Sequence, residues 1–191
     1  MHQAYLSWSK PPATGPGAVH MGPIMEWLEA NTAAETIFTN GAGNYATWLH
    51  RFHRFRRFNT QAAPTSGSMG YGLPAAVAAK RLFPEREVIC FAGDGCFLMH
   101  GQEFATAIRY GLPIIAIVVN NGIYGTIRMH QEREYPRPRQ QHRSHQSRFR
   151  SPCPRLWRPW RDGGADGGFR RSLRAGTRQR QAGNHRSQTR S

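Results

Sequence analysis

One carboxylate and one pair of amides occupy positions from which they could bind a metal ion together. Asp94 lies within a Gly-Asp-Gly segment at residues 93–95, and Asn120 and Asn121 form a pair further along the chain. Carboxylate and carboxamide oxygens suit a small hard cation such as Mg²⁺, and neighbouring glycines let a diphosphate approach the backbone. The residue types and their spacing therefore predict that this part of the chain binds magnesium and a diphosphate.

Two predicted strands and a helix between them would bring these side chains together. Residues 88–92 and 114–119 are short apolar runs rich in β-branched residues, typical of buried parallel strands. Residues 102–110 have helical spacing, and Gly111 ends the helix. The residues predicted to share the buried face of this helix are Phe104, Ala107 and Ile108. A helical crossover places the ends of parallel strands at one sheet edge, where ligands bind in open α/β folds, so the carboxylate and the amides should be neighbours.

Each half of this pattern also has an ordinary structural interpretation. A Gly-Asp-Gly segment is a common turn and an Asn-Asn pair a common strand end, and either segment alone favours that interpretation. Both together, each after a predicted buried strand, favour ligand binding. The pattern resembles the cofactor signature of thiamine diphosphate enzymes, and the resemblance assigns Mg²⁺ to Asp94, Asn121 and the backbone carbonyl of Ile123. It also assigns four neighbouring residues to the cofactor: Gly93, Gly95, Cys96 and Tyr124.

A glycine-rich turn earlier in the chain adds a second element of this signature. Residues 36–39 are predicted to form a strand that leads into the sequence Asn-Gly-Ala-Gly-Asn at residues 40–44. In thiamine diphosphate enzymes the corresponding turn binds the diphosphate, and the resemblance gives this role to Gly43, Asn44 and Tyr45. A helix beginning near Tyr45 would direct its amino end toward the anion.

A third element is the glycine-rich loop before the helix that Pro74 is predicted to begin. The run SGSMGYGLPAA, which starts at Ser66, resembles the loop on which the pyrimidine ring of the cofactor rests in acetolactate synthase-like enzymes. The resemblance assigns the carbonyl of Gly67 to the pyrimidine amino group. It makes Met69 a wedge between the two rings, which forces the bent cofactor shape needed for intramolecular proton abstraction. The ordinary alternative for Met69 is gap filling in a core.

The three elements together resemble the C-terminal, diphosphate-binding domain of acetolactate synthase-like enzymes. The resemblance implies an α/β fold with a mostly parallel sheet flanked by helices, here incomplete at the carboxyl terminus. It implies an enzyme that cleaves or forms carbon–carbon bonds of 2-oxo acids through a carbanion at C2 of the cofactor, assembled as a homodimer or tetramer. The Glu that activates the cofactor, and FAD where a relative carries it, would belong to domains that this sequence lacks. We therefore expect no catalytic acid or base in this chain and no activity from it alone.

The sequence divides into three predicted parts. Residues 1–22 are rich in Pro, Gly and Ser and are predicted to be an extended linker. Residues 23–135 form the predicted cofactor domain, which starts with an amphipathic helix at 23–31 and ends with a helix that turns Ile127 inward. Residues 136–191 lack Ile, Val, Met, Tyr, Lys and Glu and are predicted to be a disordered, Arg-rich tail.

The charge distribution and the cysteine content limit which other kinds of site and location are expected. Residues 1–135 hold 11 Lys and Arg against 9 Asp and Glu, whereas residues 136–191 hold 15 against 2, so the tail carries most of the net charge of +15. Three cysteines at positions 90, 96 and 153 form no Cys-x-x-Cys pair, which favours neither disulfides nor zinc. No signal peptide or membrane span is recognised, and a cytoplasmic location is expected.

Two other functions compete with the enzyme interpretation. A nucleotide-dependent oxidoreductase is disfavoured because no Gly-x-Gly-x-x-Gly follows a predicted strand. A nucleic-acid-binding protein would use the tail and the run LHRFHRFRRF at residues 49–58, in which arginines alternate with aromatic residues. The tail has a further explanation, namely a shifted reading frame. One surplus cytosine near the Pro136 codon would convert a sequence with two capped helices and a strand into the observed one, and any nucleic-acid binding by such a tail would be non-specific.

Overall fold

The computed structural model describes residues 1–15 and 19–135, in which four parallel strands form one sheet. The strands are β1 (Ile37–Asn40), β2 (Gln61–Ala62), β3 (Val88–Gly93) and β4 (Ile115–Val119). The helices are α1 (His2–Trp8), α2 (Met21–Asn31), α3 (Ala46–Phe52), α4 (Gly72–Leu82), α5 (Asp94–His100), α6 (Glu103–Arg109) and α7 (Gly125–Glu134). The strand order is β2-β1-β3-β4 with every pairing parallel, so all carboxyl ends lie at one edge. The predicted α/β fold, a parallel sheet flanked by helices, is confirmed.

The central strand β3 is buried along its whole length because helices cover both faces of the sheet. Alternate side chains of a strand point to opposite faces. Phe91 accordingly packs in a cluster with Leu28 of α2 and Leu49 of α3, whereas Cys90 packs with Leu73 of α4 on the other face. Burial raises the pKa of the Cys90 thiol to about 12, so this thiol is a neutral member of the core. The continuous apolar run of β3 thus reflects two-sided burial.

The prediction of an extended segment at residues 1–22 is wrong in part. Residues His2–Trp8 form α1, and the predicted helix at 23–31 begins two residues earlier, at Met21. Helix α1 is held against α3 because the Arg51 side chain donates from Nε to the Trp8 carbonyl over 2.8 Å. The guanidinium group of Arg51 also lies 4.4 Å from the centre of the Trp8 ring. The side chain of Arg51, which is distant in sequence, thus stabilises a helix that the local sequence did not indicate.

Two further short elements, α5 and β2, were not predicted. The Gly-Asp-Gly segment is not a turn, because α5 begins directly at Asp94 after β3 ends at Gly93. Strand β2 has only two residues and pairs with β1 through Phe38 and Gln61. A two-residue strand has too few side chains to show a periodic pattern, and it exists only because β1 offers it a pairing edge.

Three burial predictions are corrected by the structure. Strand β4 was expected to be buried, but all five residues are half-buried, because among the described residues it has a neighbouring strand on one side only. Ile108 and Ile127 were expected to face inward, yet they are 47% and 49% exposed. Within the described part of the chain, α7 has no buried residue, so nothing there covers the face that carries Ile127.

The predicted tail, residues 136–191, lies outside the described residues, as does Cys153. Its disorder and its shifted reading frame stay predictions, as do the domain limits at 22 and 135, and genomic sequence across the Pro136 codon would test the frame. None of the helices in the described part of the chain has the length and apolar character that a membrane span requires.

Candidate functional site

Four loops meet at the carboxyl edge of the sheet. They are the β1–α3 turn (residues 41–45), the loop before α4 (66–71), the β3–α5 junction (93–96) and the β4–α7 loop (120–124). Parallel pairing brings them together, since the register aligns Asn40 with Phe91 and Gly93 with Val119. All twelve residues that the sequence assigned to metal or cofactor lie in these loops.

The ring of Tyr45 covers the end of β3. A Cβ atom at Gly93 would lie only 2.7 Å from Cδ1 of Tyr45, so the ring can occupy this place only because residue 93 is glycine. The Tyr45 hydroxyl is buried beside the Cys96 thiol and has no hydrogen bond of good geometry within the described residues. Burial, reinforced by the neighbouring Cys96 thiol, raises the pKa of Tyr45 well above its usual range. The phenol therefore stays neutral and keeps a proton to donate.

Asp94 follows Gly93 directly as the first residue of α5 and is only 4% exposed. Cys96, two residues later, donates from Sγ to the Ala42 carbonyl over 2.9 Å and so ties α5 to the β1–α3 turn. The β3–α5 junction and the β1–α3 turn are thus in direct contact.

Gly95 brings the other two loops into contact with the same junction. A Cβ atom at Gly95 would lie 2.7 Å from Cε1 of Tyr124 and 3.5 Å from the Cε methyl group of Met69. The Tyr124 ring and the Met69 thioether therefore both lie against the first turn of α5. Met69 is half-buried at this place, which is compatible with either role that its sequence context allows.

The β4–α7 loop is shaped by two side-chain amides. The Oδ1 atom of Asn120 accepts a hydrogen bond from the Gly122 amide over 3.0 Å, and Oδ1 of Asn121 accepts one from the Ile123 amide over 3.1 Å. Gly122 adopts a φ of +65°, which favours glycine. The Ile123 carbonyl accepts a hydrogen bond from the Gly125 amide over 3.0 Å. The two oxygens of this loop that the resemblance assigns to the metal, Oδ1 of Asn121 and the Ile123 carbonyl, each keep a second lone pair beside these hydrogen bonds.

The β4–α7 loop is joined to the β1–α3 turn by a pair of hydrogen bonds that sequence did not indicate. The Thr126 hydroxyl accepts from the Asn44 amide over 3.2 Å and donates to Oδ1 of Asn44 over 3.1 Å. These residues are 82 positions apart, and no motif marks Thr126. Only the fold brings it to the site.

The loop before α4 is anchored at one end and open at the other. Thr39 Oγ1 donates to the Gly72 carbonyl over 2.7 Å, and a Cβ atom at Gly72 would lie 3.0 Å from the Gly41 amide nitrogen. Gly70 has a φ of +81° and lies against the ring of His100, which sequence analysis did not consider. Gly67 is exposed, and its Cβ position has no atom within 4 Å, so among the four assigned glycines it alone faces open space on that side.

The donors at this edge fit a magnesium ion that obtains its other ligands from a diphosphate. Among the described residues there is no group of three or more His, Cys, Asp or Glu side chains able to hold a metal ion alone. One carboxylate, one amide oxygen and one backbone carbonyl are too few for Mg²⁺, which prefers six oxygens and commonly takes them from substrate phosphates and water. The buried Tyr45 hydroxyl is a further donor that an anion or a water molecule could satisfy.

The arginine-rich run at residues 49–58 has a structural explanation. Arg51 binds α1, while Arg56 pairs with Glu29 over 2.6 Å and Arg57 with Glu35 over 3.4 Å. His53 also lies 3.2 Å from Glu29, and burial lowers the pKa of His53 despite that carboxylate. Glu29, His53 and Arg56 line a small cavity. Three of the four arginines of the run, Arg51, Arg56 and Arg57, thus make contacts within the domain, which a nucleic-acid strip would need free.

Comparisons with known proteins identify the family of this domain. Residues 41–158 match the family model described as thiamine pyrophosphate enzyme, C-terminal TPP binding domain. The match continues past Pro136, where the shift in reading frame is predicted. The chain is 34% identical over 125 residues to the acetolactate synthase large subunit of Parasynechococcus marenigrum, covering 65% of this chain and 20% of the relative. It is 37% identical over 109 residues to that of Corynebacterium glutamicum, covering 56% and 17%.

A solved structure has the same fold. The thiamine diphosphate-dependent 4-hydroxybenzoylformate decarboxylase of Rhodococcus jostii RHA1 superposes with a TM-score of 0.66 at 25% identity, covering 72% of this chain and 26% of that one. The chain spans about a fifth of the length of the curated relatives it matches. It belongs to the thiamine pyrophosphate enzyme family, as a C-terminal TPP-binding domain.

Proposed function

We propose that this chain holds thiamine diphosphate through Mg²⁺ and forms half of the active site of an enzyme that cleaves or forms the carbon–carbon bond next to the carbonyl of a 2-oxo acid. The observation that carries the proposal is the pairing of β3 with β4, which places the buried Asp94 carboxylate and the Asn121 amide at one sheet edge. When bound, thiamine diphosphate supplies the carbon nucleophile and the electron sink for such chemistry.

The assigned residues have different binding roles according to the loop in which they lie. Asp94, Asn121 and the Ile123 carbonyl hold the metal ion, and the carboxylate balances part of its charge. Gly43, Asn44 and Tyr45 face the diphosphate from the β1–α3 turn. The remaining assigned residues line the approach to them: Gly67, Met69, Gly93, Gly95, Cys96 and Tyr124.

Met69 orients the cofactor rather than reacting with it. Its methyl group lies near Gly95 at the start of α5, and Gly70, directly after it, is buried against the His100 ring. A side chain packed against the first turn of a helix presents a surface against which the two cofactor rings would bend. Orientation of this kind lowers the entropic cost of reaching a reactive geometry.

The chain alone should not turn over a 2-oxo acid. Asp94 is the one carboxylate in the four loops, and it is assigned to the metal, so no described residue there is free to act as a general base. We propose that the activating Glu comes from a further domain, in the homodimer or tetramer that the family resemblance implies. Pyruvate decarboxylation or acetolactate formation by the purified chain, above a cofactor-only blank, would contradict the prediction that the chain alone is inactive.

Calorimetric titration with thiamine diphosphate, with and without Mg²⁺, tests the metal assignment. Asp94→Ala and Asn121→Ala should each weaken Mg²⁺-dependent binding by about a hundredfold or more, since each leaves the ion short of one oxygen ligand. Unchanged affinity in Asp94→Ala would refute the assignment.

Two matched controls separate metal binding from local structure. Asn120→Ala removes a turn hydrogen bond equivalent to that of Asn121 but no assigned metal ligand. Glu103→Ala removes an acidic residue from the first position of α6, as Asp94→Ala does from α5. Both controls should bind as the wild type does. Equal losses in Asn120→Ala and Asn121→Ala would show that loop shape, and not metal ligation, explains the effect.

A further inference from the structure

The hydrogen bonds between Asn44 and Thr126, which we name the Asn44–Thr126 clasp, join two segments with different assigned roles. Asn44 belongs to the turn assigned to the diphosphate, and Thr126 follows the loop that carries the metal ligand Asn121. The clasp uses the Thr126 hydroxyl as acceptor for the Asn44 amide and as donor to the Asn44 side chain, over 3.2 and 3.1 Å. The Thr126 hydroxyl thus both accepts a hydrogen bond from and donates one to a single residue 82 positions away.

A purely local role does not explain Thr126. Threonine near the start of a helix commonly caps that helix by accepting from its first amides. Thr126 is the second residue of α7, but the cap residue Tyr124 makes no side-chain cap hydrogen bond, and the Thr126 hydroxyl is directed to the neighbouring turn instead. The hydroxyl therefore serves the contact between two loops rather than the helix that carries it.

The clasp also sets the positions of two amide groups relative to each other. A Cβ atom at Gly125 would lie 3.5 Å from Nδ2 of Asn121 and 3.9 Å from Nδ2 of Asn44, so both amides flank the same backbone position. The hydrogen bond from Thr126 to Oδ1 of Asn44 restrains the side-chain amide, and this also sets the direction in which its Nδ2 group points. Movement of either loop would displace one amide from the other.

We infer that Thr126 is a positioning residue that couples metal binding to diphosphate binding. This inference rests on the proposed function. A metal ion bound through Asn121 orders the β4–α7 loop, and the clasp transmits that order to the β1–α3 turn. Diphosphate binding at Asn44 orders the turn and, through the same hydrogen bonds, the metal loop. Such coupling is reciprocal, so each ligand should raise the affinity of the other through Thr126.

The first test needs no cofactor. Amide exchange followed by NMR should be about tenfold faster at Asn44 in Thr126→Val than in the wild type, because the isosteric valine accepts no hydrogen bond. Thr126→Ser keeps the hydroxyl and should restore slow exchange. The control Thr106→Val changes a threonine of α6 that makes no side-chain hydrogen bond among the described residues, and it should leave Asn44 unchanged. Unaltered exchange at Asn44 in Thr126→Val would overturn the clasp itself.

The second test measures coupling by calorimetry. The quantity is the metal enhancement, defined as the ratio of the Kd for thiamine diphosphate without Mg²⁺ to that with Mg²⁺. Thr126→Val should lower this ratio about tenfold, the equivalent of one hydrogen bond, while the metal-free Kd changes little. Thr126→Ser should keep the wild-type ratio.

The outcomes distinguish failure of the coupling from failure of the proposed function. Equal weakening with and without Mg²⁺ in Thr126→Val, or an unchanged ratio, would overturn the coupling while leaving the cofactor assignment in place. Absence of Mg²⁺-dependent binding in the wild type would overturn the proposed function, and the coupling with it. A lowered ratio that serine restores, together with faster Asn44 exchange, would support the inference.

Discussion

Replacing Gly93 with alanine tests the packing that shapes the site. Gly93 has a φ of −75° and a ψ of 158°, a conformation that alanine adopts without strain. Any cost must therefore come from the new Cβ atom, which would lie 2.7 and 2.8 Å from two carbons of the Tyr45 ring. Contacts this short require a shift of the ring, which is held by the neighbouring Phe91 at 6.0 Å between ring centres.

Two opposing effects set the expected magnitude. Replacing glycine by alanine in an unstrained conformation stabilises a protein by about 0.4–1 kcal/mol, because the unfolded chain loses freedom. Overpacking of a buried site costs about 1–3 kcal/mol. The overpacking is larger, so Gly93→Ala should lower the free energy of unfolding by about 1–2 kcal/mol. In a Tyr45→Ala background the ring is absent, and the same substitution should be neutral or slightly stabilising.

Urea unfolding followed by circular dichroism, applied to both single variants and the double variant, gives the coupling energy between the two positions. We expect a value of about 1–3 kcal/mol, with unchanged dependence on urea concentration. Gly15→Ala is the matched control, because Gly15 has no positive φ and no atom closer than 4.0 Å to its Cβ position. If Gly93→Ala proves as stable as the wild type, or if its cost persists without the Tyr45 ring, the packing described here is wrong.

Three further predictions concern other contacts of the domain. In urea unfolding, Gly70→Ala should lower the free energy of unfolding by about 1–3 kcal/mol, because its φ of +81° is strained for alanine and its Cβ would meet the His100 ring. Adding His100→Ala removes the ring but not the backbone strain, so it should recover only part of this loss. Burial lowers the pKa of His53 below its ordinary value of 6.5, so the unfolded state binds more protons than the folded state. The free energy of unfolding in urea should therefore fall as the pH drops through 6.5, and it should fall less steeply in His53→Gln. Arg51→Ala should release α1, which hydrogen exchange would show as faster exchange at residues 2–8 with little change in the core.

The sequence alone indicated three of the four strands of the sheet, the main crossover helix and the edge at which the assigned residues meet. These features depend on local signals. The apolar run ending at Gly93 predicts a strand buried on both faces, and Gly111, with a φ of +61°, marks the end of α6. The parallel direction of the strands then follows from the length of the connection, which places Asp94 and Asn121 at the same edge without knowledge of any contact.

The tertiary structure decided what each side chain faces. Ile108 and Ile127 have the spacing of buried residues, but burial requires a neighbour, and none of the described elements covers them. Strand β2 exists because β1 offers it hydrogen bonds. The contact of Asn44 with Thr126 spans 82 positions and depends on how two loops lie after the sheet has formed. Sequence patterns report periodicity within one element, whereas contacts between elements depend on the distances that only the assembled fold sets.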